Sequence, residues 1–211
     1  MTRTILVTGF EPFGGETVNA SWEAAQQLEG WRHGGYAAAT RLLPCAYDAS
    51  VKALIRAIET LRPEALLMTG QSARRGLVTV ERFAHNLDNA AAPDNDGDLR
   101  RELRISRAAP EWLEATTRVR RIAGAVKEAG IPARMSLNAG GFVCNHLYFG
   151  ALQYLRDKKS PIPAVFLHLP ATPEQKPPGA SGKRLTAAKA AEALKAAAAA
   201  MIDQSKSTEA G

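Results

Sequence analysis

Ser136-Leu137-Asn138-Ala139-Gly140-Gly141-Phe142-Val143-Cys144-Asn145-His146-Leu147-Tyr148-Phe149-Gly150-Ala151-Leu152-Gln153-Tyr154-Leu155 changes its periodicity twice. Its first residues suit the end of a short strand, Ala139-Gly140-Gly141 is a turn, and Val143, Leu147, Ala151, Tyr154 and Leu155 recur as the apolar stripe of a helix. A strand that turns through glycines into a helix is the unit from which α/β folds are built. Cys144 falls in the first turn of that helix, where free N–H groups and the positive dipole end favour a thiolate. The two glycines let the backbone bend and aim amides at one point, a cradle for an oxyanion formed by attack on a carbonyl. A small buried thiol packing a helix start is the competing reading.

Working outward, each strand pattern is followed by a helix or a long loop. Thr4 to Thr8 is β-rich and closes at Gly9, and Trp22 to Leu28 has helical spacing. Tyr36 to Leu43 is a second strand, Ala49 to Leu61 a helix with Val51, Leu54, Ile55 and Ile58 on one side, and Ala65 to Thr69 a buried strand. Leu77 to Asp88 starts with strand-like alternation and ends in turn residues, and Trp112 to Ala129 is expected as a helix whose seam carries Leu113, Thr117, Arg120 and Ala125. Ala164 to Leu169 suits a central strand, Ala171 to Arg184 a flexible loop, Leu185 to Met201 an alanine-rich helix, and 205–211 a disordered tail. The pattern predicts a sheet at least partly parallel, with helices on both faces and functional loops at strand C-termini such as Gly70-Gln71-Ser72.

A chain of 211 residues fits one domain, 1–211. With 45% hydrophobic and 23% charged residues it has the composition of a soluble protein, and no apolar run approaches a membrane span. Two cysteines, Cys45 and Cys144, make no disulfide framework and point to a reducing cytoplasm. A net charge of +6 permits weak contact with polyanions. The arginine runs Arg74-Arg75, Arg100 to Arg107 and Arg118 to Arg121 lack interleaved aromatics, so they are taken as solvated faces and no nucleic-acid partner is expected.

Chemistry-bearing residues stand at several further places. The loop Gly9-Phe10-Glu11-Pro12-Phe13-Gly14-Gly15-Glu16 has the glycine separation of a phosphate loop, but Gly15 stands where lysine is needed and Glu16 would repel phosphate. Phe10 and Phe13 either wall a flat apolar slot or tuck under their own loop. Of the four histidines, His146 lies two residues from Cys144 on another helix face, and His33 sits in a glycine-rich turn. His85 stays open as a base; His168, at a strand end after the cysteine helix, is better placed. Glu81, after a strand, can hold the imidazole's tautomer. Glu81 and His85 would share a face if helical, but no third metal ligand follows at a recognised spacing. Cys45, without a charged neighbour in sequence, is a pocket-lining or core thiol.

Gly9-Phe10-Glu11-Pro12-Phe13-Gly14-Gly15, Asn19 and Trp22, Val80-Glu81-Arg82, Pro93-Asp94-Asn95, Ala139-Gly140, Phe142-Val143-Cys144-Asn145-His146 and His168-Leu169-Pro170 together resemble the pyroglutamyl-peptidase I (pyrrolidone carboxyl peptidase) family over nearly the whole chain. The resemblance implies a cytoplasmic cysteine peptidase on a three-layer α/β/α sandwich with a mostly parallel twisted sheet, forming a homo-oligomer, tetramer or dimer. It implies no cofactor and no metal. Its partners would be peptides with N-terminal pyroglutamate, cleaved through a thioester acyl-enzyme. The triad carries onto Cys144, His168 and Glu81, and the pyroglutamate slot onto Phe10, Phe13, Phe142 and Val143, with Asn19 and Gln71 near it. The chain departs from the family where Arg-Ile often precedes the Pro-Asp-Asn turn (here Ala91-Ala92) and where Thr is usual (here Gly141). It departs again at an aromatic-Leu pair, replaced here by Ala171-Thr172.

Overall fold

The computed structural model describes residues 2–72, 75–175 and 183–209. Seven strands form one sheet: β1 Arg3–Phe10, β2 Arg32–His33, β3 Tyr36–Leu43, β4 Ala65–Gln71, β5 Val78–Glu81, β8 Ala133–Ser136 and β9 Ala164–Leu169, in the order β2-β3-β1-β4-β9-β5-β8. A separate antiparallel pair is made by β6 Phe83–His85 and β7 Trp112–Glu114. The helices are α1 Ala20–Ala25, α2 Tyr47–Leu61, α3 Val119–Glu128, α4 Val143–Asp157 and α5 Ala187–Glu209. No described helix is long and apolar enough to cross a membrane.

Alternation along the strands divides the core in two. Ile5 and Val7 of β1, Leu67 of β4, and Val165, Leu167 and Leu169 of β9 face α1, α3 and α5. Their neighbours Leu6, Leu66, Met68, Ala164 and Phe166 face α2 and α4. Because successive side chains point to opposite faces, strands apolar at every position must be covered on both sides, and the three-layer α/β/α architecture follows. In the helix of the opening stretch Val143, Leu147, Tyr148, Phe149 and Ala151 are fully buried. Each large apolar side chain sunk there contributes roughly 1.5–3 kcal/mol. Gly150 lets α2 approach, since a Cβ on it would stand 2.8 Å from Val51 Cγ2.

The sheet is mixed. Pairings β1–β3, β1–β4, β4–β9 and β5–β8 are parallel, whereas β2–β3 and β5–β9 are antiparallel. Thus β9, the last strand in sequence, is inserted between β4 and β5.

Several expected elements are corrected. The helix expected over Trp112 to Ala129 is instead β7 followed by α3, because Trp112-Leu113-Glu114 alternates exposed, buried, exposed and pairs with Phe83–His85. Starting the helix at Val119 turns its seam to Val119, Ile122, Ala123 and Val126 and leaves Arg120 exposed. The first helix is a short α1, ended by a 3₁₀ turn at Gln26–Leu28. On α2 the buried stripe is Leu54, Ala57 and Ile58, with Val51 and Ile55 half-buried. Helix α5 takes in 205–209, the first part of the stretch expected as a disordered tail, while 210–211 lie outside the described residues. Most of the expected flexible loop, 176–182, also lies outside them.

Candidate active site

The site is built where β4, β9 and β5 meet the start of α4. The turn before α4 closes when Asn138 Oδ1 accepts from Gly140 N at 2.7 Å. Gly140 has φ +93°, a left-handed conformation that glycine adopts without strain. Gly141 is required for a different reason. Asn89 N donates to Gly141 O at 2.8 Å, and a Cβ on Gly141 would stand 2.6 Å from Asn89 O. The departure at Gly141 is therefore matched by a backbone segment packed directly on it. The N-cap residue of α4, Phe142, makes no side-chain cap, so the helix's first N–H groups have no side-chain acceptor.

Cys144, the second residue of α4, is half-buried. A Cβ on Gly70 would lie 2.6 Å from its Sγ and 2.8 Å from Phe166 Cζ. Gly70 is the register partner of His168 across the parallel β4–β9 pair, so both face the side of the sheet on which Cys144 packs. The thiol and imidazole are thus on one face, beside neighbouring strands. We expect Gly70→Ala to lower stability by about 1–3 kcal/mol through overpacking and to displace Sγ. Denaturant unfolding and the alkylation rate of Cys144 check it: an alkylation rate equal to wild type shows that the sulfur has not moved.

Behind the imidazole lies a carboxylate. His168 Nδ1 is 2.9 Å from Glu81 Oε1, with His168 4% exposed and Glu81 fully buried. Thr79, opposite His168 on β5, donates its hydroxyl to the same Oε1 at 2.6 Å, and the Arg75 guanidinium donates to it as well. Burial by itself raises the Glu81 carboxyl. The hydrogen bond and charge of His168, followed by the charge of Arg75, outweigh it and hold the group at about 2.

The thiol goes the other way. Burial first, and the Glu81 charge second, push Cys144 up to about 12, against the lowering effects of Arg75 and the local backbone N–H. The free N–H groups of the helix start pull the thiol toward thiolate as expected, and desolvation by burial acts against them as the larger effect.

The slot residues divide by role. Phe13 and Phe142 are half-buried with ring centroids 5.9 Å apart, and Tyr47 meets Phe142 edge-on at 5.7 Å. Phe10 and Val143 are buried beneath them in a cluster that also holds Cys45. Of the two readings of the phenylalanine loop, Phe10 follows the tucked one, and Phe13 keeps an accessible edge. Asn19 caps α1 by accepting from Ser21 N at 3.0 Å and donates through Nδ2 to Glu11 O at 2.9 Å. Gln71 Oε1 accepts from Ala20 N at 2.7 Å. Asn19 thus ties the phenylalanine loop to the start of α1, and Gln71 ties that start to β4.

The other histidines are engaged elsewhere. His146 lies between Asp88 (Nδ1 to Oδ2, 2.9 Å) and Asp48 (Nε2 to Oδ1, 3.3 Å). His85 contacts Leu137 O at 3.3 Å and Trp112 edge-on, and His33 stacks on Trp31 beside Asp203. Glu81 and His85 lie on separate strands rather than one helix face. Among the described residues no group of three or more His, Cys, Asp or Glu is arranged to hold a metal ion.

Some site residues were not singled out from sequence. Thr79 is two before Glu81 on the same strand face, and period-2 spacing marks it. Asn145, next to Cys144, clasps the chain after β5: Oδ1 accepts from His85 N at 2.8 Å, and Nδ2 donates to His85 O and Leu87 O. The arginine runs taken as solvated faces need correcting at two positions. Arg75 reaches Glu81, and Arg100 bridges Asp48, Asp88 and Asp98. Arg74 lies outside the described residues.

Comparison with known proteins places this geometry. The family model described as Pyroglutamyl peptidase matches residues 3–204. The chain belongs to the pyroglutamyl peptidase family. A pyrrolidone-carboxylate peptidase of Gloeobacter violaceus is 43% identical over 81% of this chain and 83% of its own length. That of Brevibacillus brevis is 40% identical over 82% and 80%. The crystal structure of pyroglutamyl peptidase I from Bacillus amyloliquefaciens superposes with a TM-score of 0.91 at 36% identity, covering 95% of this chain and 97% of that one. Pyrrolidone carboxyl peptidase from Thermococcus litoralis gives 0.92 at 30% identity, covering 98% and 96%. The mixed sheet and its helical layers are thus those of a pyroglutamyl peptidase.

Proposed function

We propose that the protein is a cysteine peptidase that hydrolyses the amide bond after an N-terminal pyroglutamyl residue and releases free pyroglutamate. The observation that carries this is Cys144 Sγ packed on Gly70, the register partner of a His168 whose Nδ1 is tied to Glu81. His168 takes the thiol proton as Sγ adds to the carbonyl carbon, and the N–H groups of the first turn of α4 receive the oxyanion. When the C–N bond breaks, the imidazolium protonates the leaving amine and a thioester remains. His168 then takes a proton from water as it attacks, and the C–S bond breaks with the proton returned to sulfur. Glu81 keeps the imidazole in the tautomer that faces the thiol and balances the charge formed on it.

The substrate class follows from the slot. A pyroglutamyl ring is flat and neutral, so the edges of Phe13 and Phe142 can hold it without meeting a charge. An ordinary glutamyl terminus brings an ammonium and a carboxylate into the same space, where unpaired charges are costly. With the purified protein, a pyroglutamyl chromogenic amide should be cleaved, with prolyl and glutamyl amides slower by about 100-fold or more. Equal rates on all three, or cleavage of the prolyl amide alone, would turn the assignment toward another amidase. On the family resemblance and its two unpaired cysteines we assign the enzyme to the cytoplasm as a homo-oligomer, tetramer or dimer.

A further inference from the structure

The segment leaving β4 carries a side chain that touches both halves of the site. Arg75 Nη1 donates to Thr79 Oγ1 and to Glu81 Oε1, and its Nη2 donates to Asn138 O at 2.9 Å. Ser136 Oγ, at the end of β8, lies 3.4 Å from Nη1. The guanidinium is 24% exposed, but the carboxylate it meets is fully buried. Among the described residues the carboxylate's hydrogen bonds are all on one oxygen: Oε1 meets Arg75, the Thr79 hydroxyl and His168, while Oε2 is buried without a partner among them.

We propose that Arg75 is a positioning residue for the peptidase reaction, one side chain that holds the carboxylate behind His168 and the turn leading into Cys144 in a fixed relation. The proposal rests on the roles given above to Cys144, His168 and Glu81. Two arguments carry it. The first is charge. Glu81 is faced by His168 from β9, by Arg75, and by the neutral hydroxyls of Thr79 and Ser136. From α4 it is faced by the Cys144 thiol and by Tyr148, whose hydroxyl donates to Glu81 O at 3.1 Å. Before the thiol gives up its proton the imidazole is neutral in the cycle above, so among the described residues Arg75 is the positive group balancing the buried carboxylate. Once the imidazolium forms, both do so. The second argument is geometry. Asn138 accepts from Arg75 through its carbonyl and from Gly140 N through its side chain, so the turn that aims the first amides of α4 is pinned at both ends of one residue.

The test compares Arg75→Met and Arg75→Lys with wild type. Arg75→Met should lower kcat on a pyroglutamyl amide by about 10- to 100-fold, the size of a lost charged hydrogen bond, with KM within about twofold because Arg75 does not line the slot. The acid limb of its pH profile should move up by about one unit, since loss of the nearby cation eases protonation of the hydrogen-bonded His168–Glu81 pair on which the cycle depends. Alkylation of Cys144 by iodoacetamide at pH 8 should slow several-fold, because the cation that lowers the thiol's pKa is gone. Arg75→Lys should restore the acid limb but only part of kcat, as an ammonium keeps the charge without the two-armed reach to Asn138 O. A folded Arg75→Met protein with the wild-type acid limb and alkylation rate would overturn the proposal. Should Arg75→Met fail to fold, Arg75→Lys decides: a wild-type kcat in it would overturn the geometric half. Absence of any pyroglutamyl-amide cleavage by wild type counts against the peptidase reading alone, since alkylation still reports what Arg75 does to the thiol.

Discussion

Cys144→Ala is expected to lower kcat/KM on a pyroglutamyl amide by on the order of 10⁴-fold or more while the protein keeps its fold, because removing a nucleophile removes the covalent route altogether. The side chain is half-buried and sits in a helix whose packing rests on Val143, Leu147, Tyr148 and Phe149, so trimming one sulfur leaves those contacts in place. Alanine is also a good helix residue. Unfolding should therefore shift by about 1 kcal/mol or less, and substrate affinity should persist, since the slot rings are untouched. Steady-state kinetics and a binding titration with the uncleaved substrate read both effects. Appreciable turnover by a Cys144→Ala protein shown by mass spectrometry to be free of wild type would remove sulfur from the chemistry.

Glu81→Gln is the second large effect, and it appears in both rate and stability. The amide cannot balance an imidazolium, so kcat should fall by about 10²- to 10⁴-fold. The stability argument has a definite sign. The carboxyl is held at about 2 in the folded protein against an ordinary value of 4.5, so folding favours the ionised form. Its contribution, roughly 3 kcal/mol, is present above about pH 4.5 and is lost as pH falls toward about 2. The difference in unfolding free energy between wild type and Glu81→Gln should therefore shrink as pH is lowered from 6 to 3. A difference constant over that range would mean that Glu81 is not held as a carboxylate.

Much of the fold was legible because its strands are strongly patterned. Tyr36 to Leu43 and Ala164 to Leu169 are strands with the expected limits, and Cys144 stands in the first turn of α4. Where the reading fell short, the deciding contact is tertiary. Trp112-Leu113-Glu114 satisfies a helical stripe as well as a strand, and only pairing with Phe83–His85, a tertiary event, separates the two. The antiparallel pairing of β5 with β9 leaves no local trace either, since strand direction depends on which partner a chain returns to.

The site was legible where residue type implies chemistry, and obscure where it depends on burial. Cysteine, histidine and glutamate could be singled out, and Glu81 does lie against His168. Two things could not be read. One is the balance at the thiol, a contest between a helix start and desolvation that composition does not weigh. The other is the use of Arg75, which in sequence is one member of a basic pair like others on the surface.

The position of β9 has a consequence for synthesis. Glu81 and Cys144 leave the ribosome well before residue 168, yet the strand that lies between β4 and β5 is made after both. Until it slots in, β4 and β5 have no common neighbour, and the acidic and thiol-bearing parts of the nascent chain, though joined by the β5–β8 pairing, lack the imidazole that stands between them. Activity is thus withheld from every translation intermediate that stops short of β9, and a peptidase able to trim the ends of other proteins cannot act until its imidazole has been made.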